Sequence, residues 1–255
     1  MPRTILSLLV AVLVLFVWVP EARSASPRQA LEPPSAEEMV ENALAVMVKW
    51  VPPERWQNHP LPAARETPDA ARARYRTIAQ AMVDTVLDPT EEPLYGGAWG
   101  RVRTLSVLLS IALHESSFRR DVFLGTFRGD GGRSWCLLQL NLGTGRVPDP
   151  DPVVGSWKGS DLAADPKKCI RAGLRVARRS FRACSALHED NRLNAYASGR
   201  CTMGHVSSQR RMSTARRAFG RMRDLTAQKQ APAVPPVSPA SFTVPSVRPS
   251  EPKAP

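Results

Sequence analysis

The chain has 255 residues, a formal net charge of +12, 24 prolines, four cysteines and four histidines. This length is sufficient for one or two domains, and the strongly basic balance favours anionic partners. The histidines lack the spacing of a metal site, and the sequence has no C-x-x-C pair and no glycine-rich phosphate-binding loop. No Ser-His-Asp set can be argued from the spacing of these residues. We therefore expect neither a metal nor a cofactor.

The first residues are typical of a secretory signal peptide. Arg3 provides the basic start, residues 5–19 form an apolar stretch, and Ala22-Arg23-Ser24 offers a small-residue cleavage site. The apolar stretch has about 15 residues, whereas a membrane-spanning helix needs about 20. No cysteine follows it for lipid attachment. We therefore predict a signal peptide at residues 1–24, no stable membrane span, and an exported protein that is periplasmic or secreted.

Two helices are predicted after a mobile lead-in at residues 25–34, where proline occurs without any periodicity. Ser35 is positioned as the N-cap of the first helix, and Glu38 completes a capping box. The second helix begins with Thr67 as N-cap and Pro68 as its first residue. Apolar residues recur every three or four positions along it: Ala71, Tyr75, Ile78, Met82 and Val86.

A third helix has the most apolar pattern after the leader and ends at Glu115. Its apolar stripe consists of Val102, Leu105, Leu108, Leu109 and Ala112. The same periodicity aims the Glu115 carboxylate at or beside this stripe. Apolar surroundings disfavour the charged form, so the pKa of Glu115 is expected to rise, which suits a general acid. The alternative is a helix-terminal glutamate that faces water.

The rest of the chain changes character twice. Residues 121–159 are rich in Gly, Asp and Pro, and predict loops with at most a small β-hairpin at the apolar run 135–140. Helices are expected at 161–183, 191–196 and about 207–225. We therefore predict a mainly α fold at 35–228, followed by a disordered, Pro-rich tail at 229–255.

The four cysteines are expected to form two disulfides, because export places them in an oxidising compartment. If residues 161–183 form a single helix, its rise separates Cys169 and Cys184 by about 22 Å, which is beyond disulfide reach. Either Cys136 pairs with Cys169 and Cys184 with Cys201, or the pairs are crossed. We favour the first pairing because it closes shorter loops.

Four motifs between residues 115 and 199 resemble one family. Glu115-Ser116-Ser117-Phe118 is similar to the Glu-Ser-x-Phe/Trp signature of soluble lytic transglycosylases. The segment Gly129-Asp130-Gly131-Gly132-Arg133-Ser134-Trp135-Cys136-Leu137-Leu138-Gln139-Leu140-Asn141 resembles Gly-Asp-His-Gly-x-x-Phe-Gly-Leu-Met-Gln-x-Asp of goose-type lysozymes. Asp165-Pro166, Ile170 and Gly173-Leu174 resemble Asp-Pro-x-x-Asn-Ile-x-x-Gly, and Ala195-Tyr196-Ala197-Ser198-Gly199 resembles Ala-Tyr-Asn-Ala-Gly. Together they resemble the lysozyme-like superfamily over residues 102–204.

The resemblance implies a lysozyme-like helical domain with a loop and β-hairpin region beside the catalytic helix. It implies that Glu115 is the general acid/base that breaks the β-1,4 bond between N-acetylmuramic acid and N-acetylglucosamine. In the transglycosylase branch the muramoyl 6-hydroxyl then attacks, giving a 1,6-anhydro product. In the goose-type branch water attacks, and Asp130 is the second acid. The implied partners are peptidoglycan glycan strands and other anionic wall polymers.

The resemblance also implies that Ser116, Gln139 and Tyr196 contact substrate. Each has a structural alternative: Ser116 terminates the helix, Gln139 satisfies backbone groups near a loop, and Tyr196 is a core residue with its hydroxyl at the rim. Asp130 also has a structural alternative, in which it is a turn residue between glycines.

Two departures favour a catalytically inactive, peptidoglycan-binding protein. Cys136 stands where the family has Gly, and Ala197 stands where transglycosylases have an Asn. The arginine-rich helices allow a third reading, nucleic-acid binding, but the signal peptide argues against it, so no nucleic acid is expected as a partner.

Overall fold

This computed structural model describes residues 30–231, which contain eight α-helices, five short 3-10 helices and one two-stranded sheet. The bounds of the α-helices and strands are α1 (Ala36–Trp50), α2 (Pro68–Leu87), α3 (Gly100–Ser116), α4 (Arg120–Phe123), β1 (Ser134–Trp135), β2 (Leu140–Asn141), α5 (Gly159–Ala164), α6 (Pro166–Ala183), α7 (Asn194–Ser198) and α8 (His205–Gln230). The prediction of a mainly α fold is confirmed. The predicted signal peptide lies outside the described residues, as do residues 25–29 of the lead-in and 232–255 of the tail.

The first two helices begin where their caps predict. The Ser35 hydroxyl accepts a hydrogen bond from the Glu38 amide, and the Glu38 carboxylate accepts one from the Ser35 amide at 2.9 Å. At the start of α2 the Thr67 hydroxyl accepts a hydrogen bond from the Ala70 amide. The predicted apolar stripe of α2 is buried throughout.

Helix α3 is the centre of the core, with α1, α2, α6 and α8 packed against it. Its predicted stripe is buried, but so are residues on its other faces, including Thr104, Val107, Ser110 and Ile111. A helix surrounded on all sides needs no polar face, so the amphipathic interpretation underestimates its burial. The Ser110 hydroxyl donates a hydrogen bond to the Arg211 carbonyl at 2.6 Å, which joins α3 to α8.

The chain turns sharply at the end of α3, one residue later than predicted. Ser117 and Phe118 both lie in the left-handed region, with φ of 49° and 56°. The loops that follow contain the predicted small hairpin, in which antiparallel β1 and β2 pair Ser134 with Asn141 and Trp135 with Leu140. Most of the apolar run 135–140 is therefore the turn of this hairpin rather than its strands.

The predicted single helix at 161–183 is wrong. It is interrupted at Asp165, whose extended backbone (φ −132°, ψ 106°) separates α5 from α6. A residue before proline avoids the helical region, and here Pro166 is the first residue of α6. The Asp165 carboxylate caps the new helix by accepting a hydrogen bond from the Lys167 amide at 2.8 Å. The later helices also differ in their bounds, since α7 begins at Asn194 and α8 continues to Gln230.

Two disulfides join the predicted partners, so the favoured pairing is confirmed and the crossed one is excluded. Cys136 and Cys169 are linked with a Cα–Cα distance of 6.1 Å, which fixes the hairpin to α6. Cys184 and Cys201 are linked with a Cα–Cα distance of 5.4 Å, which fixes the end of α6 to the segment before α8.

The ends of the described chain meet each other. The backbone amide of Glu32 donates a hydrogen bond to Oε1 of Gln230 at 3.2 Å. Nε2 of Gln230 donates one back to the backbone carbonyl of Glu32, also at 3.2 Å. The described part of the predicted lead-in is thus bound to the end of α8. Between residues 30 and 231, none of the helices has both the length and the hydropathy that a membrane span requires.

Candidate active site

An open cleft of about 790 Å³ lies between the C-terminal end of α3, the hairpin, α6 and α7. Four of the five catalytic or substrate-binding residues predicted from sequence line it: Glu115, Asp130, Gln139 and Tyr196. Residues on other elements complete its walls, among them Arg133, Asn141, Val176, Arg179, Ala197 and Arg211. The fold therefore brings together most of the residues that the motifs single out.

Glu115 lies at the end of α3 with 19% of its side chain exposed, so its carboxylate is largely removed from water. This burial raises the pKa of Glu115 above its ordinary value, in the direction expected from the sequence, and the negative charge of Asp130 raises it further. The guanidinium of Arg211 lowers the pKa but does not outweigh the burial. Glu115 thus holds its proton more tightly than a solvated glutamate does.

Arg211 is the site residue that the sequence interpretation missed. Its Nη2 donates a hydrogen bond to Oε1 of Glu115 at 2.6 Å, and its Nη1 donates one to the Ser207 hydroxyl at 2.6 Å. Only 9% of the Arg211 side chain is exposed. One sequence signal was available: Arg211 precedes Ala215, Ala218 and Met222 at helical spacing, so this arginine stands on the buried stripe of α8.

Asp130 supplies a second carboxylate from the hairpin side of the cleft. Its Oδ2 accepts hydrogen bonds from the Ser134 hydroxyl at 2.5 Å and from the Asn141 amide at 3.2 Å. These two bonds lower the pKa of Asp130, because they favour its charged form. The cleft therefore contains two carboxyl groups whose environments shift their pKa values in opposite directions, which is the arrangement that separates an acid from a carboxylate.

Gln139 lines the cleft, but its amide is engaged within the hairpin. Its Oε1 accepts a hydrogen bond from the Gly129 amide at 2.9 Å, and its Nε2 donates one to the Cys136 carbonyl at 3.0 Å. A Cβ at Gly129 would lie 2.5 Å from Oε1 of Gln139, so a larger residue there would displace the Gln139 side chain from this bond. These contacts match the structural alternative for Gln139, in which the side chain satisfies backbone groups near a loop.

Cys136 occupies the left-handed region with φ of 57°, a conformation that favours glycine. The backbone at this position therefore has a conformation that glycine adopts readily, although the side chain is a cysteine. The disulfide to Cys169 adds a covalent link from this turn to α6.

Tyr196 lines the cleft from α7 and is bonded to the hairpin. Its hydroxyl donates a hydrogen bond to the Leu138 carbonyl at 2.7 Å, and its own amide donates one to the Ser180 hydroxyl at 2.9 Å. Burial raises the pKa of Tyr196 well above its ordinary value, and the charge of Glu115 adds to the effect. The tyrosine thus remains protonated, and connects α6, α7 and the hairpin beside the acid.

Ser116 is the predicted site residue that does not reach the cleft. It is buried, and its hydroxyl donates to the Ala112 carbonyl at 2.8 Å and accepts from the Phe118 amide at 3.2 Å. These bonds stabilise the sharp turn after α3, which matches the structural alternative for Ser116.

The neighbouring His114 is exposed and lies 3.2 Å from the Thr214 hydroxyl. Within the described part of the chain, no three His, Cys, Asp or Glu side chains cluster as a metal site would require.

The arrangement is suited to acid–base chemistry, because one carboxyl group is biased toward its protonated form and another is ionised in the same open cleft. Comparisons of this chain with protein-family models, with curated proteins and with solved structures found no match.

Proposed function

We propose that the protein is exported and cleaves the β-1,4 bond between N-acetylmuramic acid and N-acetylglucosamine in peptidoglycan, by lytic transglycosylation with Glu115 as general acid/base. The observation that carries this proposal is the position of Glu115: a largely buried carboxyl with a raised pKa on the wall of an open cleft. The two disulfides support export, because such bonds form in oxidising compartments.

The proposed reaction has two proton transfers through one side chain. Protonated Glu115 donates its proton to the glycosidic oxygen as the bond to the anomeric carbon breaks, and an oxocarbenium-like transition state forms. The resulting carboxylate lies 2.6 Å from the Arg211 guanidinium, whose charge stabilises it. The carboxylate then accepts the proton of the muramoyl 6-hydroxyl as that oxygen attacks the anomeric carbon. The product is a 1,6-anhydro sugar, and Glu115 is again protonated.

The cleft and the charge of the chain fit a glycan strand as substrate. The cleft opens to solvent, and most of its lining side chains are polar or charged. The net charge of +12 attracts the protein to the negatively charged cell wall.

Hydrolysis is a second candidate, and Asp130 favours it. The Asp130 carboxylate is exposed in the cleft and kept ionised by Ser134 and Asn141. In this alternative it orients a water molecule that attacks the anomeric carbon. Ala197 lines the same cleft at the position where transglycosylases have an Asn, which weakens the transglycosylase branch specifically.

The identity of the soluble products tests the proposal. Oxidised protein is incubated with purified peptidoglycan, and the released muropeptides are analysed by mass spectrometry. We expect 1,6-anhydro products, whereas reducing-end products establish the hydrolytic alternative. If neither product appears although the protein sediments with the wall, both catalytic proposals fail and the protein is a peptidoglycan-binding module.

A further inference from the structure

The arginines of α6 are neutralised by acidic side chains at four positions out of five. Arg171 pairs with Asp88, Arg175 pairs with Glu91 at 2.6 Å, Arg178 lies 3.6 Å from Glu91, and Arg182 pairs with Glu92. The fifth, Arg179, makes no ion pair or side-chain hydrogen bond to any residue between 30 and 231.

Arg179 is also the arginine of α6 that lines the cleft. It is half-buried, so its charge is less screened than that of a fully exposed arginine. Arg133 adds a second cation from the hairpin, where its Nε donates a hydrogen bond to the backbone carbonyl of Asp130 at 3.1 Å. Arg211 is already paired with Glu115. The two remaining arginines of the cleft, Arg133 and Arg179, carry two positive charges, whereas Asp130 supplies one negative charge.

We infer that Arg179 binds a carboxylate carried by the glycan in the cleft, so that the protein selects carboxylated strands over neutral ones. The inference rests on the proposed function, since it takes the glycan strand as the occupant of the cleft. A guanidinium binds a carboxylate through two parallel charge-assisted hydrogen bonds, and no other side chain offers that geometry. In peptidoglycan this group is either the lactyl carboxylate of the muramoyl residue or a carboxylate of the attached peptide.

The test measures binding in a Glu115→Gln background, where the strands remain intact, with the full oxidised chain. Three probes are used: peptide-bearing strands, strands stripped of peptide so that the lactyl carboxylate is free, and stripped strands whose carboxylates have been converted to methylamides. Arg179→Gln is compared with Arg179→Lys, which keeps the charge, and with Arg221→Gln. The last variant removes the same charge from an exposed position of α8 outside the cleft.

We expect Arg179→Gln to weaken binding of at least one carboxylated probe by about 10-fold or more, and to leave the methylamide strands unaffected. Arg179→Lys should retain part of the affinity for carboxylated probes. Arg221→Gln should bind every probe with the affinity of the Glu115→Gln parent. A loss confined to peptide-bearing strands assigns the carboxylate to the peptide, and a loss on stripped strands assigns it to the lactyl group. If Arg179→Gln binds all three probes with the affinity of the Glu115→Gln parent, or loses as much affinity for the methylamide strands as for the carboxylated ones, the inference is overturned.

Failure of the proposed function is recognised separately. If the protein with Glu115 intact releases no soluble products, the catalytic proposal fails. The binding comparison between carboxylated and methylamide strands is still decisive for Arg179, because it does not require cleavage.

Discussion

Replacing Arg211 with glutamine is expected to destabilise the protein in a pH-dependent way. Arg211 and Glu115 are joined at 2.6 Å with only 9% and 19% of their side chains exposed, so the variant leaves the carboxylate buried without its cation. Breaking a buried ion pair by removing one partner costs about 3–5 kcal/mol. For a domain of this size, that corresponds to a melting temperature lower by about 6–20 °C.

The sign of the pH dependence follows from the pKa of Glu115. In the parent protein this pKa is raised by burial and by Asp130 and lowered by Arg211. Without Arg211 the folded-state pKa rises further above the unfolded value. A raised carboxyl pKa contributes stability that is fully present below the unfolded pKa and is lost as pH rises through the folded pKa. The stability deficit of Arg211→Gln should therefore be small in acid and grow toward neutral pH.

The measurement is urea unfolding of the parent, Arg211→Gln and Arg210→Gln between about pH 4 and pH 8. Arg210 is the exposed neighbour on α8, so its variant removes the same charge without exposing a buried carboxylate. A deficit of Arg211→Gln that is independent of pH, or larger in acid, would refute the coupling of Arg211 to Glu115. If the protein is active, the alkaline limb of its pH–rate profile should also move to higher pH in Arg211→Gln.

Three further predictions concern the buried ion pairs of Glu91, the disulfide between Cys136 and Cys169, and the role of Asp130. Glu91→Ala, which removes a carboxylate with 0% side-chain exposure from its arginine partners, should lower the free energy of unfolding by about 3–5 kcal/mol, whereas Glu92→Ala at an exposed pair should change it by less than about 1 kcal/mol. Replacing Cys136 and Cys169 with serine opens a loop with a sequence separation of 33 and should cost about 3–4 kcal/mol, measured by denaturant unfolding against the oxidised parent. Asp130→Asn should leave 1,6-anhydro products unchanged if transglycosylation is correct; a loss of about 100-fold or more in reducing-end products, measured by mass spectrometry, would instead establish hydrolysis.

Local signals were sufficient for the helices whose ends are fixed by neighbouring residues. The Ser35 capping box and the Thr67 cap are satisfied within three residues of each N-cap, so the sequence alone placed the starts of α1 and α2. The break at Asp165 has an equally local signal in the following proline. The apolar periodicity on both sides of it led to the prediction of one continuous helix.

The parts of the site that the sequence left open depend on tertiary contacts. Arg211 and Glu115 are 96 positions apart, and only the packing of α8 on α3 selects this arginine among the others on its helix. The amide of Gln139 is compatible with both binding a sugar and holding a loop, and its bonds to Gly129 and Cys136 decide between these alternatives only once the turn is folded.

The most direct test of Glu115 as the general acid/base is the rate of peptidoglycan solubilisation by Glu115→Gln. The amide has nearly the same shape but carries no transferable proton, so we expect the rate to fall by about 10²–10⁴-fold while sedimentation with the wall is retained. Glu37→Gln, at an exposed position on α1, serves as the matched control and should keep the parent rate. Solubilisation by Glu115→Gln at the rate of the parent would contradict the catalytic assignment.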